Sequence, residues 1–345
     1  MSSPRAQVMV SRPGWVALTV GVLSVAVVGV AALLSGPALI DNGSVLRALT
    51  DALPLIEIDS GLSEVDRAIL LEIRLPRLVL GALVGSILAV SGAAYQGVFR
   101  NPLADPYLLG VAAGAGLGAT IAFGVGLDGW AVAGFAFTGG IASVVVTYGL
   151  GRSVGGRTTT SLILAGVAVA AFATAVQTYL LQRNVDALRE VYTWILGRLT
   201  TVGWSEVSAL LPFWVGGLAV IIASRRQLDV LSIGDDEASA LGARVPTVRW
   251  VVVVAATLAT SAAVSVSGLI GFVGIIVPHA IRLIFGSSYR VIVPLCLFFG
   301  ASFLMASDLV ARSLIAPAEL PIGVVTAFLG APFFVAVLRS LRPRS

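Results

Sequence analysis

The chain has 345 residues, of which 57% are hydrophobic and 12% are charged, and its formal net charge is +4. Soluble globular domains carry charged residues at about twice that frequency, and the mean hydropathy of this chain is +0.99. The composition excludes a soluble globular protein. It predicts an all-α polytopic membrane protein in which residues 1–345 form a single transmembrane domain.

Ten apolar runs are long enough to cross a bilayer as helices. In chain order they are 15–35, 78–98, 107–127, 130–150, 161–182, 204–223, 247–267, 269–286, 290–312 and 321–339. The eighth run is the least regular, because Gly271, Gly274 and Pro278 can break it or make it partly re-entrant. The sequence therefore predicts ten transmembrane helices.

Arginine placement predicts the orientation of these helices. All 22 basic residues are arginine, and an N-terminus on the cytoplasmic side puts 14 of them in cytoplasmic segments. Cytoplasmic loops of membrane proteins carry an excess of basic residues. The first run is longer than the apolar core of a cleavable signal peptide and is expected to be retained. Residues 1–14 are thus predicted to form a cytoplasmic tail and residues 36–73 an external loop, with both termini cytoplasmic.

Glycines recur four residues apart in the second and third runs. Gly81 and Gly85 form one pair, and Gly110, Gly114 and Gly118 form a series. Small residues at this spacing let helices approach each other closely in a bilayer. These two helices are expected to face protein more than lipid.

A polar stripe runs along the outer half of the fifth run. It consists of Thr174, Gln177, Thr178 and Gln182, which recur near helical spacing. Because lipid accommodates such a stripe poorly, it is expected to face protein or a water-filled cavity. Hydrogen bonding between helices and the lining of a transport pathway both fit. The segment that follows, residues 190–199, is predicted to form a short external helix.

A polar segment separates the sixth and seventh runs, and within it residues 232–242 predict one very short helix. Residues 235–237 are acidic and occupy the first turn, where the helix dipole favours anions. Ser232 or Gly234 can begin the helix, and Gly242 can end it. Two turns are too few to be stable alone in water. The helix is therefore a candidate for docking a partner, and a solvated linker is the alternative.

The chain contains no lysine. A Walker A loop needs its lysine against the nucleotide phosphates, so this chain cannot itself be a P-loop ATPase. Any use of ATP must come from another chain. The single cysteine, Cys296, can form no intrachain disulfide.

Ionisable groups inside the predicted spans are scarce. Only Asp308 lies well inside one, and Arg312 offers it a partner one helical turn away. An ion-coupled secondary transporter would show more such groups, and it is the second hypothesis. An intramembrane enzyme is the third hypothesis. It is the least favoured, because the lone His279 has no histidine or cysteine cluster beside it that could bind a metal or form a nucleophilic relay. No catalytic and no metal-binding residue is predicted.

Five motifs follow one another from Arg74 toward the C-terminus. They are Arg74-Leu-Pro-Arg77, Gln96-Gly-Val-Phe-Arg-Asn-Pro-Leu-Ala-Asp-Pro-Tyr-Leu-Leu-Gly110, Trp194-Ile-Leu-Gly197, Gly271-Phe-Val-Gly-Ile-Ile-Val-Pro-His-Ala-Ile-Arg282 and Glu319-Leu-Pro-Ile-Gly-Val-Val-Thr326. In these strings the chain closely resembles the FecCD family of ABC-importer permeases, which move iron-siderophores, haem and cobalamin. Each string alone is a weak signal, whereas the ordered set is specific.

The resemblance implies the type II permease fold of ABC importers, with ten transmembrane helices. It also implies a second permease subunit in a homo- or heterodimer, two ABC ATPase subunits inside and a substrate-binding protein outside. Segment 234–242 is then similar to the coupling helix that docks into the ATPase. Its predicted coupling residues are Gly234, Asp235, Asp236, Glu237, Ala240, Leu241 and Gly242.

The resemblance further assigns Arg74, Arg77 and Arg312 to docking of the external binding protein, whose glutamates are received at these motif positions. Arginine suits this role because its planar fork grips a carboxylate with two hydrogen bonds and keeps its charge. Snorkelling to the membrane interface, with Arg312 paired to Asp308, is the alternative. In this family the fifth and tenth spans line the conduit, which favours a pathway role for the stripe at residues 174–182.

The resulting hypothesis is a multi-pass permease subunit of the inner (cytoplasmic) membrane that carries an iron chelate, either a ferric siderophore or haem, inward. Iron chelates are preferred because they are the commonest cargo of the family, and a cobalamin importer is the alternative. The partner ATPases use ATP and Mg²⁺. The chain itself is expected to contact membrane lipid and to bind no cofactor and no nucleic acid.

Overall fold

The computed structural model describes residues 14–36, 38, 40–51, 61–153, 159–201 and 203–340. Within these ranges the chain is helical and contains no strand. The helices are α1 (Trp15–Leu34), α2 (Asn42–Asp51), α3 (Glu64–Ala68), α4 (Leu75–Phe99), α5 (Val111–Gly124), α6 (Gly129–Ser153), α7 (Thr159–Arg183), α8 (Leu188–Ile195), α9 (Ser205–Ala223), α10 (Arg225–Leu231), α11 (Asp235–Ala240), α12 (Val245–Ser267), α13 (Val273–Phe285), α14 (Tyr289–Ser313) and α15 (Ile322–Ser340).

Seven helices in the described ranges are long and apolar enough to cross a membrane, and these are α1, α4 with the turns before it, α6, α7, α9, α12 and α14. Three shorter apolar helices, α5, α13 and α15, lie where the third, eighth and tenth spans are predicted. An all-helical polytopic fold is confirmed. The count of ten transmembrane helices stays a prediction.

The second span begins earlier than its apolar run predicts. α3 continues through a π-helical turn, Ile69–Arg74, into α4, so that one helix of 36 residues covers Glu64–Phe99. Ser63 caps the start of α3 by accepting a hydrogen bond from the N–H of Asp66 at 3.1 Å. Charged residues in this added part interrupt the apolar run, which is why hydropathy missed it.

The predicted external loop, residues 36–73, is therefore largely helical where it is described. It contains α2, α3 and most of the π-helical turn. Residues 52–60 of this loop lie outside the described ranges, as do residues 1–13 of the predicted N-terminal tail.

α4 is the central helix of the bundle and packs against α9, α12, α13 and α14. Two of these contacts depend on glycine. A Cβ added to Gly85 would lie 2.3 Å from the carbonyl oxygen of Gly300 in α14, and one added to Gly92 would lie 2.1 Å from that of Gly274 in α13. The helices therefore touch through their backbones at both positions.

α5 packs against α6 in the same manner. A Cβ on Gly114 would lie 2.3 Å from the carbonyl oxygen of Gly139, and one on Gly118 would lie 2.1 Å from that of Phe135. The close approach expected from the glycine series is observed at these two members. Gly110 acts differently, because it precedes α5 with a φ of 87°.

The chain leaves the helical conformation for five residues, 268–272, between α12 and α13. α13 then begins at Val273 and runs through Pro278 without a break. The irregularity expected of the eighth span thus lies before the helix rather than inside it. Phe272 in this connector has a φ of 69°, a conformation that is uncommon for residues other than glycine.

Candidate functional site

Two short helices, α10 and α11, connect α9 to α12 at one end of the bundle. Sequence patterns did not predict α10. Its Asp229 carboxylate accepts hydrogen bonds from the N–H of Tyr289 at 2.6 Å and from the hydroxyl of Ser288 at 2.9 Å. These bonds fix α10 to the start of α14.

α11 is the helix predicted within residues 232–242, although it is shorter than that segment. Gly234 precedes it with a φ of 133°, and Gly242 follows it with a φ of 83°. Glycine adopts both conformations at low cost because it has no Cβ. Ser232 belongs instead to the end of α10, where its hydroxyl donates to the carbonyl of Asp229 at 2.6 Å.

The acidic first turn of α11 divides into one residue that is paired and two that are exposed. Nη2 of Arg249 donates to both carboxylate oxygens of Asp235 at 3.2 Å, and Arg100 lies 3.7 Å from the same carboxylate. Asp235 therefore holds α11 against α12, while the side chains of Asp236 and Glu237 are exposed.

Apolar side chains in and beside α11 also divide into buried and exposed ones. Ala238 is fully buried, whereas Ile233 is 51% and Leu241 is 70% exposed. Ala240 is exposed as well. The exposed residues form one surface, called the coupling patch below, which consists of Ile233, Asp236, Glu237, Ala240 and Leu241.

The three arginines predicted to dock a partner converge at the opposite end of α4 from Arg100 and α11. Arg74 and Arg312 are buried, and both donate to the free carbonyls at the C-terminus of α1. Arg74 Nη1 donates to Leu33 at 2.7 Å, and Arg312 donates to Ser35 at 2.7 Å and to Ala32. The last carbonyls of a helix have no partner within the helix, so these two arginines cap α1.

Arg77 lies between two carboxylates. Its Nε is 3.1 Å from each carboxylate oxygen of Asp308, and its Nη2 is 2.8 Å from one of them. Its Nη1 and Nη2 donate to the two oxygens of Glu319 at 2.9 Å each. Every nitrogen of this guanidinium is thus bonded within the chain.

The structure brings the three arginines together, and each of them has hydrogen-bond partners within the chain. The alternative pairing of Arg312 with Asp308 is seen at 3.7 Å. Glu319 was missed because it lies 242 positions from Arg77, and so distant a partner leaves no local spacing signal. Arg74, Arg77, Asp308, Arg312 and Glu319 together are called the arginine cluster below.

The polar stripe on α7 is split by the structure. Gln177 is buried and packs toward α5, where a Cβ on Gly116 would lie 3.3 Å from its Oε1. Thr174, Thr178 and Gln182 are exposed. One member therefore packs between helices while three lie on the open face. The short helix expected near residues 190–199 is present as α8.

An apolar cavity of about 640 Å³ lies between the end of α8, the 268–272 connector and α15, and Ile195, Phe272 and Phe328 are among its lining residues. Phe272 presses against α15 at Gly330, where a Cβ would lie 2.2 Å from the Phe272 ring. Phe328 is 76% exposed. Sequence reasoning did not single out these lining residues, although the glycines around Phe272 marked the position.

The connector between α4 and α5, residues 100–110, is fixed to this region by Tyr107. Its hydroxyl donates to the carbonyl of Ile270 at 3.0 Å and accepts from the N–H of the same residue at 3.2 Å. The neighbouring Asp105 carboxylate accepts from the N–H of Tyr107 at 2.8 Å, and burial raises the pKa of Asp105 to about 6. The two non-helical connectors are therefore joined.

A family model described as the FecCD transport family matches residues 23–340 of this chain. The chain is 41% identical to the cobalamin import system permease protein BtuC of Halobacterium salinarum, over 83% of this chain and 77% of that protein. It is 39% identical to the hemin transport system permease protein HmuU of Yersinia pestis, over 80% of this chain and 84% of that protein. It is also 39% identical to the iron(3+)-hydroxamate import system permease protein FhuB of Bacillus subtilis, over 79% and 71% respectively.

Among solved structures, an inward-facing conformation of a metal-chelate type ABC transporter matches with a TM-score of 0.82 and 27% identity, over 94% of this chain and 99% of that chain. PsaBC from Streptococcus pneumoniae in complex with Fab matches with a TM-score of 0.56 and 17% identity, over 75% of this chain and 89% of that chain. The second match is a likeness of fold alone.

Proposed function

This chain belongs to the FecCD transport family, and from that premise we propose that it is the permease subunit of a binding-protein-dependent ABC importer. It carries a metal chelate inward across the inner membrane, and both of its termini are cytoplasmic. It is a transport subunit rather than an enzyme. Two partner ATPase subunits use ATP and Mg²⁺, and an external binding protein supplies the cargo.

The coupling patch is the observation that carries this proposal. A helix of six residues is too short to be stable alone, and here Asp235 and Ala238 fix it to the bundle. Its exposed side combines carboxylates with Leu241, which is 70% exposed. A partly apolar helix that lies between two membrane helices in the chain and is fixed to the bundle is suited to transmit movement from a soluble ATPase. A solvated linker would not need the contacts made by Asp235 and Ala238.

A second permease subunit is proposed to cover α15. Phe328 and its apolar neighbours leave this face open, and the cavity beside it is lined almost entirely by apolar side chains. Two such faces around a common axis would enclose a conduit whose walls include Phe272 and the exposed residues of α7. Alternating access then follows when the coupling patch of each subunit is moved by ATP binding and hydrolysis.

The arginine cluster is proposed as the docking site of the external binding protein. It lies at the end of the bundle that the charge distribution predicts to be external, and it contains three cations and two anions, for a net charge of +1. A partner that presents carboxylates would be attracted to this end. Only Arg77 has a partner, Glu319, that is itself more than a third exposed.

The cargo is proposed to be an iron chelate, with cobalamin as the second candidate. The cobalamin candidate is favoured by the 41% identity to the permease of Halobacterium salinarum, and relatives of 39% identity are named for hemin and for iron(3+)-hydroxamate. Specificity is expected to reside mainly in the external binding protein. The choice of cargo therefore needs the whole complex.

Transport by the reconstituted complex tests this function. We expect proteoliposomes that contain the permease and its ATPase to import labelled ferric hydroxamate or haem when ATP and the binding protein are present. Import of cobalamin alone would identify the second candidate. Uptake that follows an ion gradient and needs no ATP would contradict an ABC importer.

A further inference from the structure

We propose that Glu319 is an internal competitor for Arg77, and that a carboxylate of the external binding protein gains Arg77 by displacing it. This inference rests on the proposed function, because it takes the arginine cluster as the docking site. It assigns to Glu319 a role that the docking arginines alone do not explain. The docking event becomes an exchange of one ion pair for another.

The guanidinium of Arg77 has two edges that can each grip a carboxylate with two hydrogen bonds. One edge, formed by Nε and Nη2, holds Asp308, and the other, formed by Nη1 and Nη2, holds Glu319. Arg74 and Arg312 donate to the carbonyls of α1. An incoming carboxylate therefore meets no unoccupied edge on Arg77 and must replace one of its two partners.

Burial decides which partner leaves. The side chain of Asp308 is 8% exposed and that of Glu319 is 36% exposed. Asp308 also lies 3.7 Å from Arg312. Displacing Asp308 would therefore leave Arg312 without its carboxylate partner. A carboxylate that is already partly hydrated recovers water when it is released, whereas opening a buried ion pair strands a charge. Glu319 is the partner that yields.

The position of Glu319 links this exchange to the wall of the cavity. It lies in the connector between α14 and α15, three positions before α15 begins at Ile322. The same connector is held by a hydrogen bond from the N–H of Leu320 to the carbonyl of Ala311 at 2.9 Å. Loss of the Glu319 contact removes one of these two attachments of the connector, while the hydrogen bond from the N–H of Gly323 to the carbonyl of Leu196 still holds the first turn of α15.

Affinity for the binding protein tests the exchange. The permease–ATPase complex is placed in lipid nanodiscs, and the cargo-loaded substrate-binding protein of this importer is titrated onto it. We expect Glu319→Gln to bind about five- to tenfold more tightly than the natural chain, because the competing anion is gone. Glu190→Gln is the matched control, since it removes the same charge from exposed α8 without touching Arg77, and its affinity should change less than about twofold.

A double variant separates the exchange from a general charge effect. In Arg77→Gln the gain from Glu319→Gln should disappear, because the two residues act on one interaction. An equal gain in both backgrounds would overturn the proposal, and so would an unchanged affinity of Glu319→Gln while Arg77→Gln weakens binding. If Arg77→Gln and Arg77→Glu both leave affinity unchanged, docking on the arginine cluster itself is wrong. Should Glu319→Gln fail to insert, Glu319→Asp keeps the charge but shortens its reach, and its affinity should rise in the same direction.

Discussion

Gly92 sets the distance between α4 and α13, because its only substituent toward α13 is hydrogen. A Cβ at this position would meet the backbone of Gly274 within 2.6 Å at three atoms. Spacing in the sequence indicated helix contact at Gly85, Gly114 and Gly118, and the structure has backbone contacts there. The spacing did not identify the partner of any of these glycines, because it marks a helix face and carries no information about the opposing helix.

Alanine at position 92 should loosen the bundle. The added methyl has no space and must push α13 away from α4, at a cost of about 1–3 kcal/mol. The protein is heated to a series of temperatures, and the fraction that stays monodisperse is measured by size-exclusion chromatography. Gly216→Ala in α9 is the control, since a Cβ there meets nothing within 4 Å, and alanine favours helix. Equal melting of the two variants would show that the α4–α13 contact tolerates side chains.

At the scale of single elements, α11 is the clearest case in which the local sequence is sufficient to predict the helix. Acidic residues in the first turn and glycines on both sides are local signals, and the helix lies between them. α10 has no such signal. Its anchor, the carboxylate of Asp229, bonds to Tyr289, 60 positions away, so its stability comes from tertiary structure that propensity does not report.

Bulk on the exposed side of α11 should separate the chain from the proposed ATPase partner. Ala240→Trp adds a large side chain where the natural residue is exposed, so the fold accommodates it while the coupling patch loses its shape. We expect normal insertion and a loss of ATPase co-purification of at least about tenfold, a large effect of the kind central interface residues produce. Ser232→Ala, on the neighbouring turn outside the patch, should co-purify normally. Intact co-purification and transport by Ala240→Trp would rule out this surface.

At the scale of the whole molecule, hydropathy placed the apolar helices within a few residues of their observed bounds, since each apolar run is a local property. The exception is the second span, whose helix begins at Glu64 rather than at residue 78. The surfaces proposed to be functional were harder to predict. Glu319 beside Arg77, and Phe272 beside Gly330, are brought together by packing between helices far apart in the chain. The open face of α15 is likewise a property of the assembled bundle, because it depends on which helix sides stay uncovered.

Truncation of Phe328 should weaken the proposed pairing of permease subunits. The side chain is 76% exposed on α15, and an aromatic anchor at the centre of an interface contributes strongly to affinity. We expect Phe328→Ala to lower the fraction of paired subunits in detergent, measured by light scattering across a dilution series. Phe135→Ala removes an exposed phenylalanine from α6 and serves as the control. Identical dilution curves for the two variants would mean that another face forms the pair.

The capping of α1 by Arg74 and Arg312 has a consequence for biosynthesis. Ribosomes make α1 first, yet one of its caps comes from Arg312, 280 positions after Ala32. Arg74 is available to Leu33 once α4 is inserted, but the carbonyls of Ala32 and Ser35 lack their partner Arg312 until α14 follows. Completion of the fold therefore waits for nearly the whole chain to be translated, and a chain that terminates before Arg312 carries an α1 capped by Arg74 alone, which distinguishes it from the finished protein.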